Sequence, residues 1–211
     1  MSVEAKTYLG QKGYTVYKNS ISDSTYKTVC DELRVGPHVP KSMVKVEKFP
    51  VYRESSQKLY VPRYYGEKKF GPAQEIQLTP GEEINLTFEG GLRDYQENIV
   101  DTYMRSVTDG FGGGLLEVPC GRGKTICALS IIAKLKKKTL VIVHKGFLLN
   151  QWIERIEQFL PNTRIGRIQG KICDIEDKDI VIGMLQSLSM KEYPYEIFSS
   201  FGLIVVDEVH H

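Results

Sequence analysis

Pro119, Cys120, Gly121, Arg122, Gly123, Lys124 and Thr125 run consecutively between an apolar stretch, Gly114 to Val118, and a helix-like stretch, Ile126 to Leu135. A glycine turn between a strand and a helix can wrap phosphate oxygens in backbone N–H groups, and the helix dipole adds positive potential there. Gly121 and Gly123 allow the close approach and the unusual dihedrals. Lys124 is placed to reach the β- and γ-phosphates of a triphosphate, and the Thr125 hydroxyl to ligate Mg²⁺. The full phosphate-loop pattern wants glycine five places before Gly123, where this chain has Val118. An ordinary strand–turn–helix connection is the alternative reading.

A second chemical pair stands at the far end. Asp207 and Glu208 follow the apolar run Leu203 to Val206, which reads as a parallel strand covered on both faces. Ligands bind at the C-terminal edge of such sheets. Asp207 is there to hold Mg²⁺ through water, and Glu208 to orient or deprotonate an attacking water. A solvated acidic turn would explain either carboxylate alone; two strand-end motifs with complementary chemistry read as an ATPase site.

The elements that must position these groups can be traced along the chain. Residues 1–20 read as a short helix broken at Gly10 and Gly13, and Ser22 to Leu33 as a second helix. Val44 to Phe70 is rich in Tyr and Val and reads as β structure with a turn near Ser55 and Ser56. Loop signals at Gly71-Pro72 and Thr79-Pro80-Gly81 put a boundary at about 80–90. Residues 1–88 then form a small α+β module and 89–211 an α/β lobe. In the lobe, Asp94 to Val107 has helical apolar spacing, and strands and helices alternate after it, which implies a parallel sheet between helices. Trp152 reads as a core anchor, with no catalytic role.

Ordered motifs over about residues 90–211 resemble superfamily 2 helicases. Asp207-Glu208-Val209-His210 is similar to a DExH box, and Leu92 to Gln96 resembles the adenine-reading element. Thr139 to His144, with the helix from Lys145 to Leu160 containing Gln151-Trp152, resembles motif Ia. Asp179 to Leu188, with Gln186 and Ser187 at the strand end, resembles motif Ib. The loop is similar to that of the XPB-like branch, and most of all to the transcript-release helicases of large nucleocytoplasmic DNA viruses. Leu59 to Gly66 resembles the segment before the lobe in those helicases more weakly.

The resemblance implies a RecA-like lobe using ATP and Mg²⁺, incomplete at its C-terminus, in the N-terminal part of a tandem motor. The remainder would supply a second RecA-like lobe with an arginine finger, and also the strand lying between the phosphate-loop strand and the DExH strand. Arg93 and Gln96 would sense adenine and phosphate, and His210 would couple the site to the second lobe. Lys145, Gln186 and Ser187 would touch a nucleic-acid backbone. The implied activity is movement along DNA, with RNA an open alternative, and transcription machinery a partner. A translocase subunit of a restriction or repair system is a second reading, and a non-hydrolysing nucleic-acid-binding protein with a truncated motor a third.

Composition fits a globular intracellular chain, in cytoplasm or nucleus, of one or two domains. It has 211 residues, 41% of them hydrophobic. The longest apolar runs fall far short of the ~20 residues that span a membrane, and Met1 to Lys6 has no signal-peptide core. Cys30, Cys120, Cys127 and Cys173 show no metal spacing and read as free thiols, Cys120 as a small buried filler beside the loop. Net charge is only +2. Between Lys41 and Lys69, however, eight basic residues stand against three acidic, interleaved with Phe49, Tyr52, Tyr60, Tyr64 and Tyr65. Arg63 and Tyr64 in that patch are candidate nucleic-acid contacts. Lys134 and Lys136 to Lys138 read as a solvated helix end.

Overall fold

The computed structural model describes residues 5–36, 47–108, 112–194 and 196–209. The chain divides into two compact units, residues 1–78 and 79–211.

In the first unit, β1 (Thr7–Gly10) and β2 (Gly13–Tyr17) form an antiparallel hairpin. The helix expected over residues 1–20 is thus a hairpin where it is described. Alternation decides it: Leu9, Tyr14 and Val16 fill one buried face, and Gly13 turns the chain at φ +100°. Helix α1 (Asp23–Glu32) lies where expected, its start capped by Ser22 Oγ accepting the Thr25 N–H at 3.2 Å. Such a cap contributes about 1 kcal/mol.

After β3 (Arg34–Val35), β4 (Phe49–Pro50) pairs with it, and β5 (Arg53–Glu54) and β6 (Lys58–Val61) extend the hairpin sheet in the order β1-β2-β6-β5. The β reading of the stretch ends there, because Arg63–Phe70 is helix α2. Pro62 opens α2, and Gly66 allows it to lie on the Tyr14 ring, which a Cβ at that point would strike. Leu9, Tyr14, Val16, Val29, Leu33, Leu59 and Val61 form this unit's core.

In the second unit, residues 79–88 pack on the lobe, although the sequence reading puts them in the front module. Ile84 is buried in the lobe's core and its N–H donates to Lys136 O at 3.0 Å; the Glu82 N–H donates to Ser200 O at 2.7 Å. Then follow α3 (Asp94–Ser106), α4 (Lys124–Leu135), β7 (Thr139–Val143), α5 (Gly146–Phe159), β8 (Ile165–Gln169), β9 (Ile172–Asp174), β10 (Ile180–Met184), α6 (Leu185–Met190), α7 (Glu196–Ser199) and β11 (Leu203–Val206). The sheet runs β11-β7-β10-β8-β9, parallel except for β9. Apolar residues surround α4 because it is covered twice. Leu129 and Ile132 join the main core with Trp152 and Ile156 of α5, while Cys127 and Ile131 meet Val100 of α3.

Four expectations change here. Gly114 to Val118 forms no strand, and among the described residues β11 is bonded only to β7. Nor is β11 covered on both faces: Ile204 and Val206 are exposed. Lys138 is not solvated but buried, its ammonium 2.9 Å from Glu82 Oε2 and over the Phe201 ring. The four cysteines are unpaired, as expected, but Cys120 is exposed and Cys127 is the buried filler. No described helix is long and apolar enough to cross a membrane.

Candidate active site

The loop takes its shape from its two glycines. Gly121 and Gly123 have φ of +74° and +79°, in the left-handed region that favours glycine. Gly123 has a second constraint, since a Cβ there would run into the Gln96 amide nitrogen. The Arg122 N–H closes a turn on Pro119 O at 3.2 Å. Gly123 is also the N-cap of α4, and no side chain caps that end. The first N–H groups of α4 are therefore available to an anion, with the helix dipole behind them.

Gln96 fastens this loop from below. It is buried; its Oε1 accepts the Arg93 N–H at 3.0 Å and its Nε2 donates to Arg122 O at 3.0 Å. The Tyr95 hydroxyl donates to the same carbonyl at 3.3 Å, and the Arg122 guanidinium lies over the Tyr95 ring. Arg93 reaches Tyr95 Oη through Nη1 at 3.3 Å. The pair expected to sense adenine thus lies beside the loop, although Gln96 would have to exchange one of these bonds to read a base.

The carboxylates arrive from the other side. The Asp207 N–H donates to Ile142 O at 3.0 Å, which continues the β11–β7 ladder. Glu208 then turns at φ +54°, a conformation costing a non-glycine residue roughly 1–2 kcal/mol. The turn puts Glu208 Oε1 3.5 Å from Lys124 Nζ, both side chains partly exposed. Two groups 84 residues apart in sequence therefore share one site. A cavity of about 330 Å³ opens beside them, lined by Leu115, Lys124, Thr125, Trp152, Asp207 and Glu208 among others.

Trp152 is what the sequence reading missed. Its ring is buried in α5, yet its Nε1–H donates to Asp207 Oδ2 at 2.8 Å. One carboxylate oxygen is thereby fixed, which holds the other in a defined direction. Periodicity marked Trp152 as a core residue, correctly. The remaining signal was its polar edge, since a buried indole N–H needs an acceptor.

The groups expected to touch nucleic acid belong to both units. Lys145 is the exposed N-cap of α5, after β7. Gln186 and Ser187 are in α6, just past β10, where the Gln186 amide donates to His144 O at 2.9 Å and Ser187 Oγ accepts the Gly170 N–H at 2.9 Å. All three stand at the C-terminal edge of the parallel strands. Arg63 and Tyr64 belong to α2 in the first unit, with Arg63 Nε 2.9 Å from Glu67 Oε1 and Tyr64 exposed. His210 lies outside the described residues.

Among the described residues, no cluster of three or more His, Cys, Asp or Glu is placed to hold a metal. Thr125 and Asp207 line the same cavity, and each carries an oxygen of the kind Mg²⁺ takes when water and phosphate complete its shell.

The chain is similar in sequence to several known proteins. Over its whole length the chain is 38% identical to a protein of Acanthamoeba polyphaga mimivirus provisionally named ATP-dependent RNA helicase L396, of which it spans 41%. Over 60% of its length it is 32% identical to the DNA 3'-5' helicase XPB of Kineococcus radiotolerans, spanning 23% of that protein. The solved SWI2/SNF2 ATPase core of Sulfolobus solfataricus in complex with dsDNA is 23% identical and aligns with 60% of this chain and 27% of its own, at a TM-score of 0.47. Residues 89–211 match the model of the type III restriction enzyme res subunit, and the chain belongs to that helicase family.

Proposed function

We propose that the chain is the N-terminal part of an ATP-dependent helicase or translocase that couples ATP hydrolysis to movement along DNA. The observation that carries this reading is the meeting of Lys124, Thr125, Asp207 and Glu208 around one uncapped helix N-terminus. Pro119, Cys120, Gly121, Arg122 and Gly123 would wrap the phosphates with backbone N–H groups, and Lys124 would exchange its Glu208 contact for the β- and γ-phosphates. Thr125 and Asp207 would hold Mg²⁺, which when bound neutralises charge on the phosphate oxygens. Glu208, released from Lys124, would orient or deprotonate the attacking water. Arg93 and Gln96 would report base occupancy to the loop through the Arg122 carbonyl, and His210 would pass it to a second lobe.

DNA is preferred over RNA because the loop is of the XPB kind and the bacterial relative is named a DNA helicase; the name of the mimivirus relative points to RNA. Lys145, Gln186 and Ser187, at the strand ends, would contact the backbone. Viral transcription is the role that the viral resemblance supports. The family description favours, as a second reading, the translocating subunit of a restriction system. ATP hydrolysis by the natural full-length protein, measured with duplex DNA, single-stranded DNA and RNA, tests the proposal. Stimulation by DNA supports it, and clear preference for RNA refutes the choice of polymer.

A further inference from the structure

The outer face of the four-stranded sheet in the first unit takes no part in the nucleotide site. Register sets Tyr8, Thr15, Tyr60 and Arg53 in line across β1, β2, β6 and β5, with Tyr17 beside Lys58 two residue pairs along; Thr15 is buried, and the three tyrosines are partly exposed. These side chains point away from Leu9, Tyr14, Val16, Leu59 and Val61, which α1 and α2 cover. Ammonium groups stand over all three rings: Lys58 at 5.1 Å from the Tyr8 centroid and 5.0 Å from Tyr17, Lys6 at 5.1 Å from Tyr17, and Lys12 at 5.1 Å from Tyr60. The Tyr8 and Tyr17 centroids are 6.0 Å apart. Arg53 adds another cation. Among the described residues, the carboxylate that alternation brings to this face is Glu75, at the far edge, on the strip bridged to β1 through Leu9 and Ile76. A cavity of about 330 Å³, lined by Lys12, Gly13, Arg53 and Tyr60 among others, opens on the β5–β6 side.

We propose that this face is a platform for single-stranded nucleic acid, its tyrosines stacking on unpaired bases and Lys6, Lys12, Arg53 and Lys58 neutralising the backbone. Cation–π contacts at a partly exposed surface are weak, so a phosphodiester can draw the ammonium groups aside and leave the ring faces to bases, with Lys58 giving up its 3.3 Å bond to Tyr8 Oη as well. A four-stranded antiparallel sheet with outward aromatics is a recurrent means of stacking bases. Duplex bases are already stacked on one another, which selects the single strand. The helicase reading supplies a purpose for the surface, whereas the geometry stands without it.

The test is fluorescence anisotropy of labelled oligothymidine, oligouridine and a duplex of equal length, titrated with the 211-residue chain in the absence of ATP. Single strands are expected to bind more tightly than the duplex. Tyr60→Leu should weaken binding about tenfold and Tyr60→Phe restore it. Lys58→Gln should lower the slope of log affinity against log salt by about 0.7. Preference for thymidine or uridine assigns the natural strand as DNA or RNA. If Tyr60→Leu melts early, Lys58→Gln and Lys12→Gln carry the test, since both side chains lie on the solvent face. Preference for duplex, or affinity unmoved by these variants, overturns the proposal. Binding of a fluorescent ATP analogue should be the same in every variant, which keeps failure here distinct from failure of the nucleotide site.

Discussion

Replacing Trp152 with Phe probes the site through one atom. The phenyl ring keeps most of the packing against Leu148, Leu149 and Ile156 but removes the N–H that Asp207 Oδ2 accepts at 2.8 Å. A hydrogen bond to a charged group contributes about 1.5–3 kcal/mol. Asp207 is only half-buried, so water replaces part of the loss, and about 1–2 kcal/mol remains. In a chain of this size that lowers Tm by roughly 2–8 °C. Phe is also smaller than Trp, so packing adds its own cost. A double-mutant cycle with Asp207→Ala separates the two, because the cavity occurs with either residue at 207 whereas the bond needs both partners. Thermal melts of the four proteins should give a coupling of about 1–2 kcal/mol. Affinity for a Mg²⁺-loaded ATP analogue should fall in Trp152→Phe, because the free Asp207 oxygen loses its direction. Additive melts with unchanged affinity would refute the positioning role and return Trp152 to a purely packing residue.

Lys124→Ala should leave Tm within about 1 °C, since its pair with Glu208 is partly exposed, while weakening ATP-analogue binding at least tenfold in a fluorescence titration. Gly123→Ala combines a left-handed backbone with a collision at the Gln96 amide, so a urea melt should show a loss of about 1–2 kcal/mol or more. Asp179→Asn should cost about 1–2 kcal/mol at neutral pH. Burial pushes the Asp179 carboxyl up, but bonds from the Arg164 side chain and backbone N–H outweigh it and hold it below its ordinary 3.8. A depressed carboxylate stabilises the fold above its unfolded pKa, and the contribution fades as pH falls through the folded value. Melts of wild type and variant should therefore converge as pH drops below about 4.

Both halves of the site were legible in the sequence because each is a local pattern. The loop needs glycines at fixed offsets ahead of a helix, and the carboxylates need only an apolar run ending in Asp-Glu. The alternating α/β order of the lobe was legible for the same reason. Residues 7–17 misled because two glycines looked like helix breakers, whereas alternation across Tyr14, Thr15 and Val16 was the stronger signal. Arg63 to Phe70 misled because its aromatics suggested strands, although Pro62 is a good helix opener. The bond from Trp152 to Asp207 spans 55 residues and depends on how α5 crosses the sheet, which no local pattern contains. The bare face of β11, with Ile204 and Val206 exposed, was equally hidden, since an apolar run looks the same whether one face of a strand is covered or both.

On the proposed function, Lys124, Thr125, Asp207 and Glu208 form one triphosphate site. Titrating the 211-residue chain with a fluorescent ATP analogue, with and without Mg²⁺, alongside Lys124→Ala and Asp207→Ala, tests it most directly. Binding should be saturable and strengthened by Mg²⁺, with affinity lost in Lys124→Ala and the Mg²⁺ effect lost in Asp207→Ala. Equal, Mg²⁺-independent binding by all three proteins would contradict that assignment.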